Sequence, residues 1–381
     1  MSSHDSSPPD SNFEVVVCGG GVAGVEAILR LRRLAGDGLR ITLVSPDTDF
    51  VCRPLAVAGA FGAPDVKRYP LERITGDVSA RWVRDRLSSV DHANRTVHTE
   101  GGAPLCYDAL LLAIGARESS PYEHAFCFTD HDPDAGFNGI VRGLETGHIN
   151  SVAFVLPHEW VWPLPLYELA LLTAGRARSL NLKPQLTFVT PEGRPLKAFG
   201  QAAGEAILGL MENAGIALHT DAVARVPAPG VVTFRDREVV ADRIVTLPKI
   251  SGPAIPGIPA GTGWFVPVDE WCAVVGTDGR VFAAGDATDF PVKQGGIAAQ
   301  QADTAAAVIT HLAGVGDRPP ALRPVIRGTL LTGESPLYVS AELLGGLGWQ
   351  SAVYSRPPWP PEQKIVAEEL VPYLHTLTSS G

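Results

Sequence analysis

Three glycines, Gly19, Gly21 and Gly24, are the residues with the clearest chemical meaning in the sequence. Glycines at G-x-G-x-x-G spacing permit a tight turn and let the backbone approach a pyrophosphate, whose charge the following helix N-terminus attracts. The motif lies between the apolar run 14–18 and a helical pattern, and a second apolar run, 40–45, follows. Strand, glycine turn, helix and strand together predict a dinucleotide-binding βαβ unit.

Acidic and hydroxyl side chains near this turn refine the prediction. Ser45 ends the second predicted strand, where a dinucleotide-binding unit normally has Asp or Glu for a ribose hydroxyl, and Asp47 follows two residues later. This departure disfavours NAD at the first site. Glu26 lies near the start of the predicted helix, so we expect it in the first turn, where the helix dipole stabilises a carboxylate.

Two later strands also end in glycine turns. The apolar run 107–113 is followed by Gly115, and a second run, 279–284, leads into an acidic turn at Asp286. A helical pattern begins soon after this turn, over 295–311. Both strands therefore belong with the first βαβ unit as candidates for binding a nucleotide.

Together these segments resemble the flavoproteins of the pyridine nucleotide-disulfide oxidoreductase superfamily. In that superfamily the first glycine turn holds the FAD pyrophosphate, an ATG-like strand end (here 113–115) closes the FAD domain, and an A-x-G-D-A segment (here 283–287) holds the ribityl chain through its aspartate. Segment 49–55 is similar to the aromatic-x-P-L segment of sulfide:quinone oxidoreductases and type II NADH dehydrogenases. Segment 291–296 resembles the P-x-K-x-G run of the sulfide enzymes. The resemblance covers residues 13 to about 316 and implies FAD as the cofactor.

The resemblance also implies which residues contact FAD. Lys293, Gln294 and the amides after them would lie beside the isoalloxazine ring, and a backbone contact near Leu87 would meet the adenine. A lysine and a helix N-terminus would stabilise the negative charge that a reduced flavin carries. The residues expected to bind FAD are Gly19, Gly21, Val22, Ala23, Gly24, Ser45, Asp47, Arg53, Pro54, Leu87, Ala113, Gly115, Gly285, Asp286, Lys293, Gln294 and Gly295.

A second strand–helix–strand pattern over 151–190 lies between these segments. Relatives that oxidise NADH or NADPH have a second glycine turn here, but no glycine occurs over 151–173, and Trp160 and Trp162 stand in the turn. Because a pyrophosphate needs small residues and free amides, the sequence disfavours tight NAD(P)H binding and favours a degenerate structural unit. The two tryptophans either wall the flavin face and shape an apolar substrate pocket, or pack the interface between domains.

The cysteines argue against sulfide chemistry that uses two thiols. Five cysteines are an odd number without a C-x-x-C pair, which fits a reducing compartment and offers no metal cage. Sulfide:quinone oxidoreductases place a redox cysteine where Trp162 stands here, and another after the A-x-G-D-A segment, where this chain has none. Sulfide oxidation by that mechanism is therefore not expected.

Cys52 is open to two interpretations. Single-cysteine NADH oxidases, peroxidases and coenzyme A disulfide reductases carry their thiol at a similar place, and the charge of Arg53 would lower the pKa of a neighbouring thiol. The alternative is that Cys52 fills an apolar slot where quinone-reducing relatives carry an aromatic residue.

Composition excludes several classes of partner. The chain has 381 residues and a net charge of −10, without a window rich in Lys or Arg, so nucleic acid is not an expected partner. Apolar runs stop short of the ~18 residues of a membrane span. The last predicted helix, which includes Glu368 and Glu369, lacks a basic face, so peripheral membrane contact is not expected either. We expect a cytoplasmic protein and leave a homodimer open.

The predicted fold is α/β, with two Rossmann-like three-layer domains, the second inserted in the first, and a small C-terminal domain. The expected division is a disordered tail over 1–12, an FAD-binding domain over 13–120 and 247–316, a degenerate NAD(P)-binding-like domain over 121–246 and a C-terminal domain over 317–381.

The predicted function is FAD-dependent oxidoreduction between an unidentified small donor and an acceptor such as a quinone. The candidate catalytic residues are Cys52, Trp162 and Lys293. Two alternatives stay open: a flavin-binding sensor or assembly protein without turnover, and a single-cysteine NAD(P)H-dependent disulfide or peroxide reductase that uses Cys52.

Overall fold

The computed structural model describes residues 13–53, 56–62, 67–129, 134–158, 160–344, 347–359 and 364–379. The strands are β1 Glu14–Cys18, β2 Arg40–Val44, β3 Asp49–Val51, β4 Arg68–Pro70, β5 Arg81–Val83, β6 Leu87–Asp91, β7 Thr96–Thr99, β8 Leu105–Cys106, β9 Ala109–Leu112, β10 Arg117–Ser119, β11 Phe126–Cys127, β12 Ser151–Val155, β13 Gln185–Val189, β14 Ala217–His219, β15 Ala224–Ala228, β16 Val231–Phe234, β17 Arg237–Val240, β18 Arg243–Thr246, β19 Lys249–Ser251, β20 Val281–Ala283, β21 Val325–Leu330, β22 Leu337–Leu344 and β23 Leu347–Tyr354. The helices are α1 Val22–Ala35, α2 Ala56–Gly59, α3 Leu71–Asp77, α4 Asp134–Glu145, α5 Leu164–Ser179, α6 Gly200–Asn213, α7 Gly295–Leu312 and α8 Leu370–Ser379.

The first sheet is parallel and has the strand order β20-β9-β1-β2-β5. Its central strands are apolar along their whole length, as expected of a sheet covered on both faces; Val17, Leu111 and Phe282 are fully buried. Helices α1 and α7 pack against each other beside this sheet. The glycine turn therefore lies at the carboxyl edge of the sheet, between β1 and α1.

The second sheet is also parallel, with the strand order β11-β18-β12-β13-β14. Its core includes Phe154, Phe188 and Tyr167, and the Tyr167 ring stacks on Phe188 with centroids 4.3 Å apart. The predicted fold class, with two Rossmann-like parallel sheets, is confirmed. The strands of the second sheet fall between β9 and β20 in the sequence, and the predicted domain boundaries stay predictions.

Polar and apolar residues alternate along 81–97, a pattern that predicts a hairpin, but the first part of this segment does not belong to one. β5 joins the edge of the first parallel sheet, where Val83 pairs with Val44. Only β6 and β7 form an antiparallel pair, which continues into β8. Alternation alone does not distinguish an edge strand of a parallel sheet from one arm of a hairpin, because both have one face more exposed than the other.

The C-terminal part is an antiparallel sheet, β21-β22-β23, followed by α8. The sheet packs on the start of α6: the Phe199 ring occupies the space beside Gly328, where a Cβ atom would lie 2.7 Å from it. None of the helices in the part of the chain that the structure describes has the length and hydropathy needed to cross a membrane.

Glu26 differs from its predicted role. It lies beyond the first turn of α1 and is fully buried, and its carboxylate accepts hydrogen bonds from the backbone amides of Glu369 (3.0 Å) and Leu370 (2.6 Å). These are the amides at the start of α8, so Glu26 caps a distant helix and does not stabilise its own. The expectation that Glu369 lies inside the last helix is wrong too, because α8 begins at Leu370. Arg30 adds an ion pair of 2.8 Å to Glu369.

Glu26→Ala is expected to loosen α8 and to lower the free energy of unfolding by about 1.5–3 kcal/mol, because two backbone amides lose a carboxylate acceptor. Hydrogen exchange of the α8 amides and thermal denaturation measure the effect. Glu212→Ala, on the exposed face of α6, is the matched control. Unchanged protection of the α8 amides in Glu26→Ala would contradict the capping role.

Candidate functional site

The glycine turn after β1 requires two of its glycines for packing. Gly19 has a φ of +117°, and a Cβ atom on it would lie 2.1 Å from the carbonyl oxygen of Ala113 at the end of β9. A Cβ atom on Gly24 would lie 1.8 Å from the carbonyl oxygen of Gly19. Ala113 is tied to the same place, since its amide donates to the carbonyl of Cys18 at 2.7 Å. The glycine turn, the start of α1 and the end of β9 are therefore in direct backbone contact, with no side chain between them.

Gly21 has a different environment. A Cβ atom on Gly21 would meet no heavy atom within 4 Å, and its φ of −82° suits any residue. Packing therefore does not require glycine at this position. The next amides, those of Val22, Ala23 and Gly24, belong to the first turn of α1 and have no partner within the helix. Open space in front of these amides fits the pyrophosphate of a dinucleotide.

Ser45 and Asp47 lie at the same edge. Ser45 is fully buried, its Oγ would be 2.7 Å from a Cβ atom on Gly20, and it accepts a hydrogen bond from the amide of Asp47 at 3.3 Å. Ser45 is thus packed against the glycine turn, and Asp47 is exposed. Leu87 is half-buried at the start of β6, opposite Thr99. Contacts of these residues with a nucleotide stay predictions.

The acidic turn at Asp286 lies against the start of α1. Gly285 has a φ of +77°, and a Cβ atom on it would lie 3.5 Å from the Cβ atom of Ala23. The Gly285 amide donates to Oε1 of Gln301 at 2.8 Å, which fixes the turn on α7. Gly115, after β9, has a φ of +73° and open space at its Cβ position. The structure therefore brings together turns that are far apart in the sequence.

A cavity of about 220 Å³ opens beside the acidic turn. Among the predicted site residues it is lined by Arg53, Trp162, Asp286, Lys293, Gln294 and Gly295. The other lining residues are Ala56, Val57, Glu118, Phe128, Thr129, Val161, Leu164, Pro165, Glu168, Leu247, Pro248, Ile250, Thr329, Lys364 and Ile365. Pro54 lies outside the described residues.

Trp160 and Trp162 have different neighbours. Trp162 lines the cavity and its ring also contacts Phe199, with centroids 5.7 Å apart. The Trp160 ring contacts Phe265 at 5.2 Å. Trp162 thus lines the cavity and packs within the predicted domain 121–246, and Trp160 packs on a residue outside it. A wall at the flavin face stays a prediction.

Lys293 and Gln294 are held by the chain itself. The Lys293 ammonium donates to the carbonyl oxygens of Asp286 (3.2 Å) and Thr288, and burial lowers the pKa of Lys293 to about 8, against the opposing effect of the Asp286 and Asp289 carboxylates. Gln294 caps α7, because its Oε1 accepts from the amide of Ile297 at 3.1 Å.

Cys52 is not activated. It is half-buried, it is not among the described residues that line the cavity, and burial raises the pKa of its thiol, although the charge of Lys67 opposes the shift. The lowered pKa considered from Arg53 is wrong. Burial also raises the pKa of the Cys127 thiol to about 11. A thiol with a raised pKa is protonated at neutral pH and is a poor nucleophile.

Sequence reasoning missed a buried ion pair at the cavity. Lys364 donates to the Glu168 carboxylate at 2.7 Å, and the amide of Leu331 donates to the same carboxylate at 2.9 Å. Glu168 is 1% exposed, and burial raises its pKa while Lys364 opposes the shift. A buried carboxyl group with a raised pKa can hold a proton at the cavity wall. No local pattern pairs these residues, because Lys364 lies in a distant non-helical segment.

The acidic residue that follows β13 forms its hydrogen bonds within the second βαβ unit. Glu192 follows β13, the position at which a dinucleotide-binding unit offers a carboxylate to a ribose. Here its carboxylate accepts hydrogen bonds from Tyr167 Oη (2.8 Å) and from the backbone amide of Lys197 (3.0 Å). Tyr167 is fully buried. The carboxylate therefore joins α5 to the segment after β13.

Comparison with known proteins agrees with this geometry. Residues 13–133, which include the glycine turn and β9, match the family described as pyridine nucleotide-disulphide oxidoreductase. Residues 13–133 are thus similar to a pyridine nucleotide-disulphide oxidoreductase domain. The resemblance seen in the sequence is confirmed at the level of the superfamily.

Individual relatives match more of the chain at low identity. The "Sulfide-quinone reductase" of Aquifex aeolicus is 27% identical over 264 residues, which span 63% of this chain and 59% of that protein's own length. The solved sulfide:quinone oxidoreductase from Aquifex aeolicus superposes with a TM-score of 0.79 at 20% identity, over 97% of this chain and 90% of that one. NDH2 from Plasmodium falciparum, solved in complex with NADH, gives 0.69 at 13% identity, over 89% and 92%. The two superpositions describe the fold.

Gly21→Ala is expected to weaken FAD binding by about 10-fold or more while the melting temperature of the apoprotein stays unchanged, because the added methyl group points into the open space before the α1 amides. Gly24→Ala is the contrasting variant: its methyl group collides with the Gly19 carbonyl, so it lowers the melting temperature itself. FAD titration by flavin fluorescence and thermal denaturation distinguish them. Wild-type FAD affinity in Gly21→Ala would show that the pyrophosphate binds elsewhere.

Proposed function

We propose that the protein is an FAD-dependent oxidoreductase that passes electrons between a small donor and an acceptor such as a quinone. The observation that carries the proposal is the meeting of three features: the Gly21 opening before α1, the Asp286 turn against Ala23, and the cavity that begins at Asp286. The first suits a pyrophosphate, the second a ribityl chain and the third an isoalloxazine ring. This order is the order of the parts of FAD from its pyrophosphate to its ring.

The residues of the chain have separate tasks in this proposal. Gly19 and Gly24 let the backbone form the pyrophosphate turn. Asp47, an exposed residue shortly after β2, is the proposed partner of a ribose hydroxyl. Asp286 binds the ribityl chain, and Trp162 forms a wall of the cavity that excludes water. Bound FAD supplies the chemistry of electron transfer, and the chain supplies position and environment.

The cavity suits a planar apolar acceptor. Much of its lining is apolar and includes the side chains of Val57, Phe128, Val161, Leu164, Leu247, Ile250 and Ile365. A quinone ring is apolar at its faces, and its reduction takes up protons at its oxygens. Glu168, paired with Lys364, is the buried group placed to hold a proton there. That relatives are named for sulfide and quinone supports a quinone as the acceptor class.

Other features of the chain bear on the class of the electron donor. Of the described residues that line the cavity none is a cysteine, which disfavours sulfide oxidation by the two-thiol mechanism. The turn that leads into α5 has Pro163 and Pro165 in place of glycines, and Glu192 is occupied by Tyr167. These features disfavour NAD(P)H as well. We propose a small reductant that approaches FAD directly through the cavity.

An anaerobic stopped-flow screen of the FAD-loaded protein tests the proposal, with NADH, NADPH, sulfide and reduced quinols as donors. We expect rapid bleaching of the flavin absorbance by at least one small donor and slow reaction with NADH and NADPH. Bleaching also excludes a flavin-binding protein without turnover. A purified protein that carries no flavin and gains no thermal stability from added FAD would contradict the proposal.

Cys52→Ser tests the thiol alternative. Because burial raises the pKa of Cys52, we expect the variant to be reduced at the wild-type rate by the donor that the screen identifies. Cys106→Ser, at an exposed thiol, is the control for loss of a cysteine as such. Loss of reduction in Cys52→Ser with FAD still bound would assign the reaction to a single-cysteine mechanism.

A further inference from the structure

The ammonium group of Lys293 lies between two aromatic rings. Its Nζ is 3.8 Å from the centroid of Phe265 and 5.6 Å from the centroid of Trp160, within the range of cation–π attraction. The two rings contact each other at 5.2 Å. Lys293 is 4% exposed and Phe265 is fully buried. The rings therefore form two walls of an enclosure around a buried cation.

The same ammonium holds the acidic turn. It donates to the backbone carbonyls of Asp286 and Thr288, so two peptide groups of the turn converge on one nitrogen. Gln301 holds the turn from the other side, through the Gly285 amide at 2.8 Å and the Thr288 hydroxyl at 3.3 Å. The backbone that carries the Asp286 carboxylate is thus fixed between Lys293 and Gln301.

Trp160 comes from the second βαβ unit. It lies in the turn between β12 and α5, where NAD(P)H-oxidising relatives have glycines. Its carbonyl accepts a hydrogen bond of 3.0 Å from the amide of Ile250 in β19, which fixes the loop beside the first unit. The loop therefore contributes a side chain to the surroundings of the Asp286 turn.

We propose that the glycine-free turn of the second unit positions the FAD site: Trp160 and Phe265 enclose the Lys293 ammonium, and Lys293 holds the Asp286 turn in its ribityl-binding conformation. Lys293 and Trp160 are positioning residues in this account, and they act on FAD through Asp286. The inference rests on the proposed function, since it requires FAD at Asp286. It replaces direct contact of the Lys293 ammonium with the isoalloxazine ring.

The interactions of the buried Lys293 ammonium support its role as a positioning residue. Among the residues that the structure describes, no carboxylate forms an ion pair with Lys293, and burying a cation without one is costly. Burial accordingly lowers its pKa to about 8. The two carbonyls and the two ring faces hold the ammonium, and the charges of Asp286 and Asp289 favour its protonated form. Removal of the ammonium or of a ring is therefore expected to loosen the Asp286 turn.

A double-mutant cycle in FAD affinity tests the route through Asp286. Lys293→Met is expected to weaken FAD binding by about 5- to 10-fold, with unchanged absorption maxima of the bound flavin. Lys293→Met combined with Asp286→Asn should bind FAD no more weakly than Asp286→Asn alone, because both changes act on one contact. Additive losses, or shifted absorption maxima in Lys293→Met, would show direct contact with the flavin and overturn the proposal.

Substitution of Trp160 provides a second test, which leaves the buried charge of Lys293 in place. Trp160→Leu is expected to weaken FAD binding several-fold, and Trp160→Phe should restore most of it, because it keeps a ring face. Trp349→Leu, at an exposed tryptophan of β23, is the control. Equal FAD affinity in wild type, Trp160→Leu and Trp160→Phe would overturn the inference and leave the proposed function standing. Failure of the wild type to bind FAD would remove the proposed function itself.

Discussion

The backbone of the Gly19 turn lies closer to the end of β9 than any side chain would permit. The positions of the other parts of the candidate site depend on this contact. It sets the start of α1 at the carboxyl edge of the first sheet, so that the amides of its first turn face open space. The same placement brings Ala23 against Gly285. One close approach of backbone therefore determines where a pyrophosphate and a ribityl chain can bind relative to each other.

The second unit has the parallel sheet of a Rossmann-like domain, and the residues that a nucleotide would contact have other partners here. Its parallel sheet and helices are complete, but Glu192 accepts a hydrogen bond from Tyr167, and tryptophans occupy the turn before α5. The two tryptophans of this turn make contacts with other parts of the protein. Trp162 lines the cavity and Trp160 lies against Phe265 and Lys293. In the function proposed above, the turn before α5 is a wall of the FAD site.

Local sequence patterns made much of the fold and of the candidate site predictable. The glycine turns at Gly21 and Gly285, the apolar parallel strands and the missing second fingerprint are each contained within a few consecutive residues. The Glu168–Lys364 ion pair and the capping of α8 by Glu26 were not predictable, because they join segments that only the tertiary fold brings together. The carbonyl and aromatic partners of the Lys293 ammonium were not predictable for the same reason, because they lie in three different segments.

A crystal structure of the protein with FAD tests the central claim most directly. The account predicts the pyrophosphate at the amides of residues 21–24, the ribityl chain at Asp286, and the isoalloxazine ring in the cavity beside Trp162. The Lys293 ammonium should remain on the carbonyls of Asp286 and Thr288. FAD bound at the second unit, or a ring placed outside the cavity, would contradict the account.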